Sequence, residues 1–562
     1  MKSNRLAGAP SGLAMTLTAA ALVLVARAST PPVIQTTDGT VAGVAQSGVD
    51  VFKGVPFAAP PVGKLRWRAP QPVKPWLGIL SATQYRAACM QTGMYPPDAP
   101  NEPVSEDCLY LNVWRPAKTS LTALPAMVWI YGGGLENGSA AVPLYEGDEL
   151  ARRGVIVVTV NYRLGVFGFL ALPALTAESA RHSSGNYGLM DQIAALEWVH
   201  RNIAAFGGDP DNVTVFGQSS GSISISALTA SPLATGLFQK AIGESGGLFE
   251  PMELASGLRL AGAERQGKRF MARAGARSLS ALREMPANKL LSVPFSAHII
   301  IDGYVLPRVP WKVYADGDAN KVSLLIGWNA DEGAIFLVQS HLTPTNYDQV
   351  LERDFPSLLV HMLAPSPGNS DRSALAAAVT FSTDMRFRWD MWRWAVLASQ
   401  EEHEPVRLYE FTRAPPYPAS SPYYGLGATH GVEMQYVFGH LDFPAGNGTA
   451  ADRRLAQVMP ALWIRFARTG NPNGPGLPHW PRFTGQQPKL LQFGSEIQAR
   501  PLGNLTPLRR ISRAYRIARI VLDHWISWTV LAVLVAAAVV IAITRIVPHR
   551  LRARARRARA AA

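Results

Sequence analysis

A chain of 562 residues with 48% hydrophobic side chains can bury a large core and lacks the polar, low-complexity make-up of a disordered protein. Its formal net charge is +14, but +3 of this sits in residues 1–28 and +11 in residues 509–562, which leaves the body neutral. Nucleic acid therefore has no electrostatic footprint on the body, and the basicity belongs to the two ends.

At the N-terminus, Lys2 and Arg5 precede an apolar run, Leu13–Val25, and then Ala26-Arg27-Ala28. This is the layout of a secretory signal, with too few apolar residues to cross a bilayer, and it predicts export with cleavage after Ala28. Cys89 and Cys108 are the two cysteines. In an exported protein they are expected to pair in one disulfide. Neither Cys-x-x-Cys nor His-Glu-x-x-His occurs, so neither a metal nor another cofactor is expected.

The segment 30–74 is rich in Val, Gly and Pro, with Asp38-Gly39 as a hairpin turn. Two continuous apolar runs, Ala126–Tyr131 and Val155–Val160, have the length and character of parallel strands covered on both faces. Between Gly188 and Phe206, apolar Ile193, Leu196, Val199, Ile203 and Phe206 recur at three and four, which predicts a helix ended by Gly207-Gly208. Further strands are expected at Val213–Phe216, Val322–Ile326 and Val406–Phe411. Strands alternating with helices over this span predict an α/β protein with a central, mostly parallel sheet flanked by helices.

The strand Val213–Phe216 runs into Gly217-Gln-Ser-Ser-Gly221. A Gly-x-Ser-x-Gly at a strand-to-helix turn pushes the Ser219 hydroxyl clear of the backbone, where a base and a substrate can reach it. Gly243-Glu-Ser-Gly-Gly247 fits the same pattern, but Pro251 follows Ser245 too closely to leave room for a helix. The residues after Ser219, Ser222-Ile-Ser-Ile-Ser226, alternate like a strand, so the helix there is expected from context and not from propensity. A serine needs a base, and the base needs an acid to orient it. Glu332, in Asp331-Glu-Gly333, follows the strand at 322–326 and is a candidate acid. His430, in a glycine-flanked loop, is a candidate base among eleven histidines. Gly132-Gly-Gly134 after the strand at 126–131 could present backbone N–H groups to an oxyanion or cradle a phosphate. With no Lys-Ser/Thr after it, the oxyanion is preferred.

At the other end, Trp525–Thr544 is twenty residues without a charge, led by Trp525 and Trp528 and followed by seven arginines. It matches the ~30 Å hydrocarbon core of a bilayer and predicts a transmembrane helix with the tail at 545–562 in the cytoplasm and the body outside. A buried core helix is the alternative, disfavoured by the arginine-dense flanks. Within 509–524, five arginines interleave with Ile511, Ile517 and Ile520 at helical spacing, as in a short helix lying on anionic headgroups.

Taken together, these runs resemble the type-B carboxylesterases, the α/β-hydrolase family that includes the cholinesterases. The resemblance covers about residues 30–505 and rests on Phe52–Gly63, Ser105–Trp114, Gly185–Phe216 with the elbow, Asp331-Glu-Gly333 and His430-Gly-Val-Glu433. It implies an α/β-hydrolase fold over 29–508 and a serine ester hydrolase acting through an acyl-enzyme. It also implies Ser219 as nucleophile, Glu332 as acid and His430 as base, with Gly133, Gly134 and the N–H of Ser220 as the oxyanion hole. It pairs Cys108 with Cys89 and makes Ser245 part of a structural strand. A non-catalytic, membrane-tethered binding or adhesion protein is the competing expectation, but such relatives lack a member of the triad, and all are present here.

Relatives usually carry Gly-Glu-Ser-Ala-Gly. Here Gln218 removes a carboxylate beside the nucleophile, which implies a preference for neutral over cationic esters. Ser220 replaces Ala and keeps the backbone donor. The aromatic run Phe387–Trp394 suits a core helix better than a substrate pocket. Nothing in the sequence sets an oligomeric state.

Overall fold

The computed structural model describes residues 30–93, 103–118, 121–252, 255–400, 405–441 and 448–521. The expected signal segment, transmembrane helix and arginine-rich tail lie outside the described residues. Among the described residues, no helix is long and apolar enough to cross a membrane.

An eleven-stranded sheet organises the molecule. In chain order its strands are β1 (Val44–Gln46), β2 (Val49–Pro56), β3 (Tyr110–Pro116), β4 (Leu124–Ile130), β5 (Ile156–Val160) and β6 (Gly208–Gln218). They continue with β7 (Lys240–Glu244), β8 (Ser323–Asn329), β9 (Val406–Phe411), β10 (Lys489–Phe493) and β11 (Ile497–Pro501). The spatial order is β11-β10-β9-β8-β7-β6-β4-β5-β3-β2-β1. From β10 to β5 every neighbouring pair is parallel. The outer pairs are antiparallel. This is the α/β-hydrolase arrangement, a large mixed sheet that is parallel where it matters for the site.

The central strands are apolar because both faces are covered: every residue of β5 and all but the first of β4 are buried. Trp129 of β4 packs against Tyr145, Phe216 and Phe438, with ring centroids about 5 Å away. The helix α1 (Tyr187–Asn202) buries Ile193, Leu196 and Val199. A short tighter turn, Ile203–Phe206, then ends on Gly207 at φ 85°, where a left-handed conformation suits glycine. The Asp38-Gly39 turn joins two antiparallel strands, Val33–Gln35 and Thr40–Ala42, of a separate three-stranded sheet. Cys89 and Cys108 form a disulfide.

Two features tie loops to this frame. The Arg163 guanidinium grips the Asp191 carboxylate of α1 through Nε and Nη2, both at 2.7 Å, and the Arg163 backbone N–H adds a third bond at 3.0 Å. Both side chains are buried. At the C-terminal end, a helix over residues 506–521 packs back on the body. Leu508, Ile511 and Tyr515 are buried, Trp389 Nε1 donates to Ser512 Oγ at 2.9 Å, and Trp389 meets Tyr515 edge-on at 4.8 Å. Ile511 is thus turned into the protein and not toward a headgroup layer, because the body offers its helical face an aromatic partner. Ile517 and Ile520 remain exposed.

Removing one partner of a buried ion pair leaves a desolvated charge behind. Asp191→Ala should lower the free energy of unfolding by about 3–5 kcal/mol in chemical denaturation. The double variant Arg163→Met/Asp191→Leu, which removes both charges, should recover most of that loss.

Candidate active site

β6 ends at Gln218 and the helix α2 (Ser220–Ala230) begins two residues later, so Ser219 alone makes the turn, at φ 56° and ψ −126°. The flanking glycines are required by packing. A Cβ on Gly217 would come within 2.5 Å of Ile130 O, and one on Gly221 within 2.0 Å of the same atom, so strand β4 and the new helix approach too closely for any side chain. The helix forms despite the alternating Ser222–Ser226 because nearly every side of it is buried. Two of its hydroxyls are satisfied locally, Ser224 Oγ donating to Ser220 O at 2.8 Å and Ser226 Oγ to Ile223 O at 2.7 Å, while Ser222 Oγ donates to Gly246 O at 2.5 Å.

Ser245, the rival, is also strained, at φ 56°. It follows β7 directly, its N–H donates to Gly327 O at 2.9 Å, and it is fully buried. Residues 246–251, which follow it, are not helical. It is a structural residue of the strand beside the elbow.

Ser219 lines a cavity of about 870 Å³, with Gly134, Leu135, Ser220, Phe336 and Phe387 among its walls. The loop after β4 enters it with Gly133 at φ 107° and Gly134 at φ 67°. A Cβ at Gly133 would fall 2.2 Å from Asn137 O. Among the described residues, neither the Gly133 nor the Gly134 N–H donates to a protein acceptor. The Ser220 N–H lies in the first turn of α2, where helical N–H groups have no intrahelical partner. The Ser220 hydroxyl does something that its sequence position did not reveal. It accepts the Leu135 N–H at 3.1 Å, pinning a loop whose Leu135 itself sits at φ 64°.

Glu332 and His430 come together from separate loops. Glu332 Oε2 lies 2.6 Å from His430 Nδ1, and its Oε1 accepts the Asn329 N–H at 2.7 Å. Glu332 is fully buried and His430 nearly so. Gln218 Nε2 is 3.2 Å from His430 Nε2. Among the described residues, no hydrogen bond joins His430 to Ser219; its ring nitrogens meet Glu332 and Gln218.

Three further groups shape the site. Phe387 stacks on the imidazole, with centroids 4.3 Å apart and planes 20° from parallel. A π-helical turn, Asp384–Arg388, presents it. Trp389 and Trp394, from the same aromatic run, are buried in the core, so the run divides between pocket and core. Behind the acid, Asn329 Nδ2 donates to Glu433 and, at 2.8 Å, to Thr429 O. Burial, reinforced by Glu332 and Glu244, holds Glu433 well above the usual carboxylate range. Burial also pushes Glu244 up to about 8, against a hydrogen bond from Trp463. The signal for Glu433 was its place in His430-Gly-Val-Glu433; Phe387 and Ser220 had none beyond their residue type.

With this geometry in place, comparison with known proteins is specific. The carboxylesterase family model matches residues 30–507. The chain is 38% identical over 499 residues to a fumonisin B1 esterase of Sphingopyxis macrogoltabida, covering 86% of this chain and 90% of that one. It is also 38% identical over 487 residues to the para-nitrobenzyl esterase of Bacillus subtilis strain 168, covering 83% and 96%. A solved para-nitrobenzyl (PNB) esterase structure superposes with a TM-score of 0.73 at 36% identity, over 86% of this chain and all of that one. A neutral α/β body, a strained serine at a sheet edge and a family match across the whole described body lead to one conclusion: the chain belongs to the type-B carboxylesterase family and is a serine ester hydrolase.

Proposed function

We propose that Ser219 attacks the ester carbonyl, that His430 takes its proton and returns it to the leaving alcohol, and that Glu332 fixes the imidazole tautomer and stabilises the imidazolium. The acyl group is then held on Ser219 Oγ until a water, activated by His430, releases it as the acid. The oxyanion of each tetrahedral intermediate is received by the N–H groups of Gly133, Gly134 and Ser220. The observation that carries this assignment is the 2.6 Å contact of Glu332 with His430, on the same sheet edge as the strained elbow. Ser219→Ala should lower kcat/KM for a 4-nitrophenyl ester by roughly 10⁴-fold or more and abolish covalent labelling by an organophosphate. Labelling that persists in Ser219→Ala would move the nucleophile elsewhere.

The preferred substrates are neutral carboxylic esters. Gln218 places an amide, not a carboxylate, against His430, so no fixed negative charge from this position draws a cation to the nucleophile. Gln218→Glu should raise kcat/KM for a choline ester relative to its uncharged isostere.

The body is assigned to the outer side of a cytoplasmic membrane, exported by residues 1–28 and held by a transmembrane helix at Trp525–Thr544. The supporting observations are the uncharged twenty-residue stretch with its tryptophan lead and the arginines that follow it. The full chain should then stay with membranes through an alkaline carbonate wash, and deletion of residues 525–544 should release it.

A further inference from the structure

The helix at 506–521 has two faces with different partners. Its inner face carries Tyr515, which is part of the wall of the cavity that opens on Ser219. Its outer face carries Ile517, Ile520 and Val521, exposed at 58%, 50% and 53%. Arg513 and Arg516 are exposed beside them, whereas Arg519 turns back over the Trp311 ring at 4.2 Å; residues 506–521 hold five arginines and no acid. The charge is concentrated further by Arg393 of the helix Trp389–Ala398. Its pKa is lowered, first by burial and then by Arg519 and Arg516, so these like charges lie close enough to repel. An anionic surface relieves that repulsion.

Another stretch of the cavity lining also carries exposed apolar residues, beside Asp354, which pairs with Arg386 at 2.7 Å. Phe336 lines the cavity and is itself exposed. Leu358 and Met362 are exposed on the short helix Ser357–Leu363, whose neighbours Pro356 and Leu359 line the same cavity. Exposed apolar residues taken singly mean little. Here they occur on two helices that both contribute to the lining of one cavity, and on one of them they lie beside arginines.

Chain length fixes the geometry. Only residues 522–524 separate Val521 from Trp525, so the two ends can be at most about 14 Å apart. Tyr515 lies six residues back, about 9 Å along the helix axis. On the membrane-anchor assignment above, on which this inference rests, the cavity wall sits close to the lipid surface and cannot swing away while the helix stays packed on Trp389. We propose that this helix is a strut that seats the cavity rim on an anionic phospholipid surface, through Arg513, Arg516, Ile517 and Ile520, so that apolar esters dissolved in the bilayer enter the site directly.

The test uses the full chain in vesicles of phosphatidylcholine with or without phosphatidylglycerol. Both native cysteines are in the disulfide, so Ile517→Cys offers a single thiol for an environment-sensitive fluorophore. The expected result is a blue-shifted emission, quenched by lipid-borne spin labels, in the phosphatidylglycerol vesicles. Arg513→Glu/Arg516→Glu should lose this signal. It should also slow hydrolysis of a long-chain 4-nitrophenyl ester dissolved in the bilayer by about fivefold or more per arginine, with 4-nitrophenyl acetate hydrolysis unchanged. A label at 517 that stays in water on a chain retained through carbonate washing would overturn the strut and leave the anchor standing. A chain released by carbonate whose label still blue-shifts in a salt-sensitive way would remove the anchor and keep the lipid-binding face. A signal equal in vesicles of both compositions, or equal rates for the charge-reversed variant, would overturn the role of the arginines.

Discussion

The site depends on one backbone constraint: a non-glycine residue, Ser219, held in a conformation that costs on the order of 1–3 kcal/mol. The strain persists because β6 is clamped on both sides up to its last residues. Gly217 is registered against Ile130 of β4, and Gln218 against Glu244 of β7. Beyond the ladder, the Ser219 N–H still donates to Glu244 O at 2.8 Å, and Ser219 O already accepts the first helical bond from Ile223 at 2.9 Å. The turn is left no room to relax. Because the neighbouring strands are parallel, their C-terminal ends share that edge: the glycine loop leaves β4, Glu332 follows β8, and His430 comes from the loop beyond β9. A site assembled from four distant stretches of chain is the consequence of a common strand direction.

Three buried acids lie near the site, and geometry gives one of them to the imidazole. Glu244, Glu332 and Glu433 are all fully buried in this region. Burial drives Glu433 and Glu244 toward their neutral forms, Gln218 contributes no charge, and Glu332 is the one in contact with the imidazole. The two N–H donors it meets, from the Asn329 backbone and the His430 ring, are geometric partners as well as electrostatic ones.

Much of this was legible in the sequence where the signal is local. Val406–Phe411 is a strand with the expected bounds, and the three-four spacing of α1 was sufficient because its exposed residues, Glu197, His200 and Arg201, are confined to one face. The failures were cases of tertiary context. The strand before the elbow begins at Gly208, not at Val213, because the residues between them are absorbed as an irregularity in the pairing with β4. The elbow helix reads as a strand because it is buried nearly all round and so carries no helical stripe. Ser220 looked like a neutral replacement for alanine, since no linear pattern shows that Leu135 would present an N–H to it. The aromatic run at 387–394 could not be assigned to core or pocket as a block, because the helix splits it between the two.

That split has a cause with a longer reach. The turn Asp384–Arg388 is wider than an α-helical one, equivalent to one residue inserted into a regular helix. Closing it by removing a single residue would rotate everything on one side of it by about 100° relative to the other, taking Phe387 off the imidazole while Trp389 and Trp394 kept their places in the core. The lining of the cavity can therefore change in one step of insertion or deletion without refolding the body. Such a turn makes the lining of the cavity adjustable separately from the stability of the body.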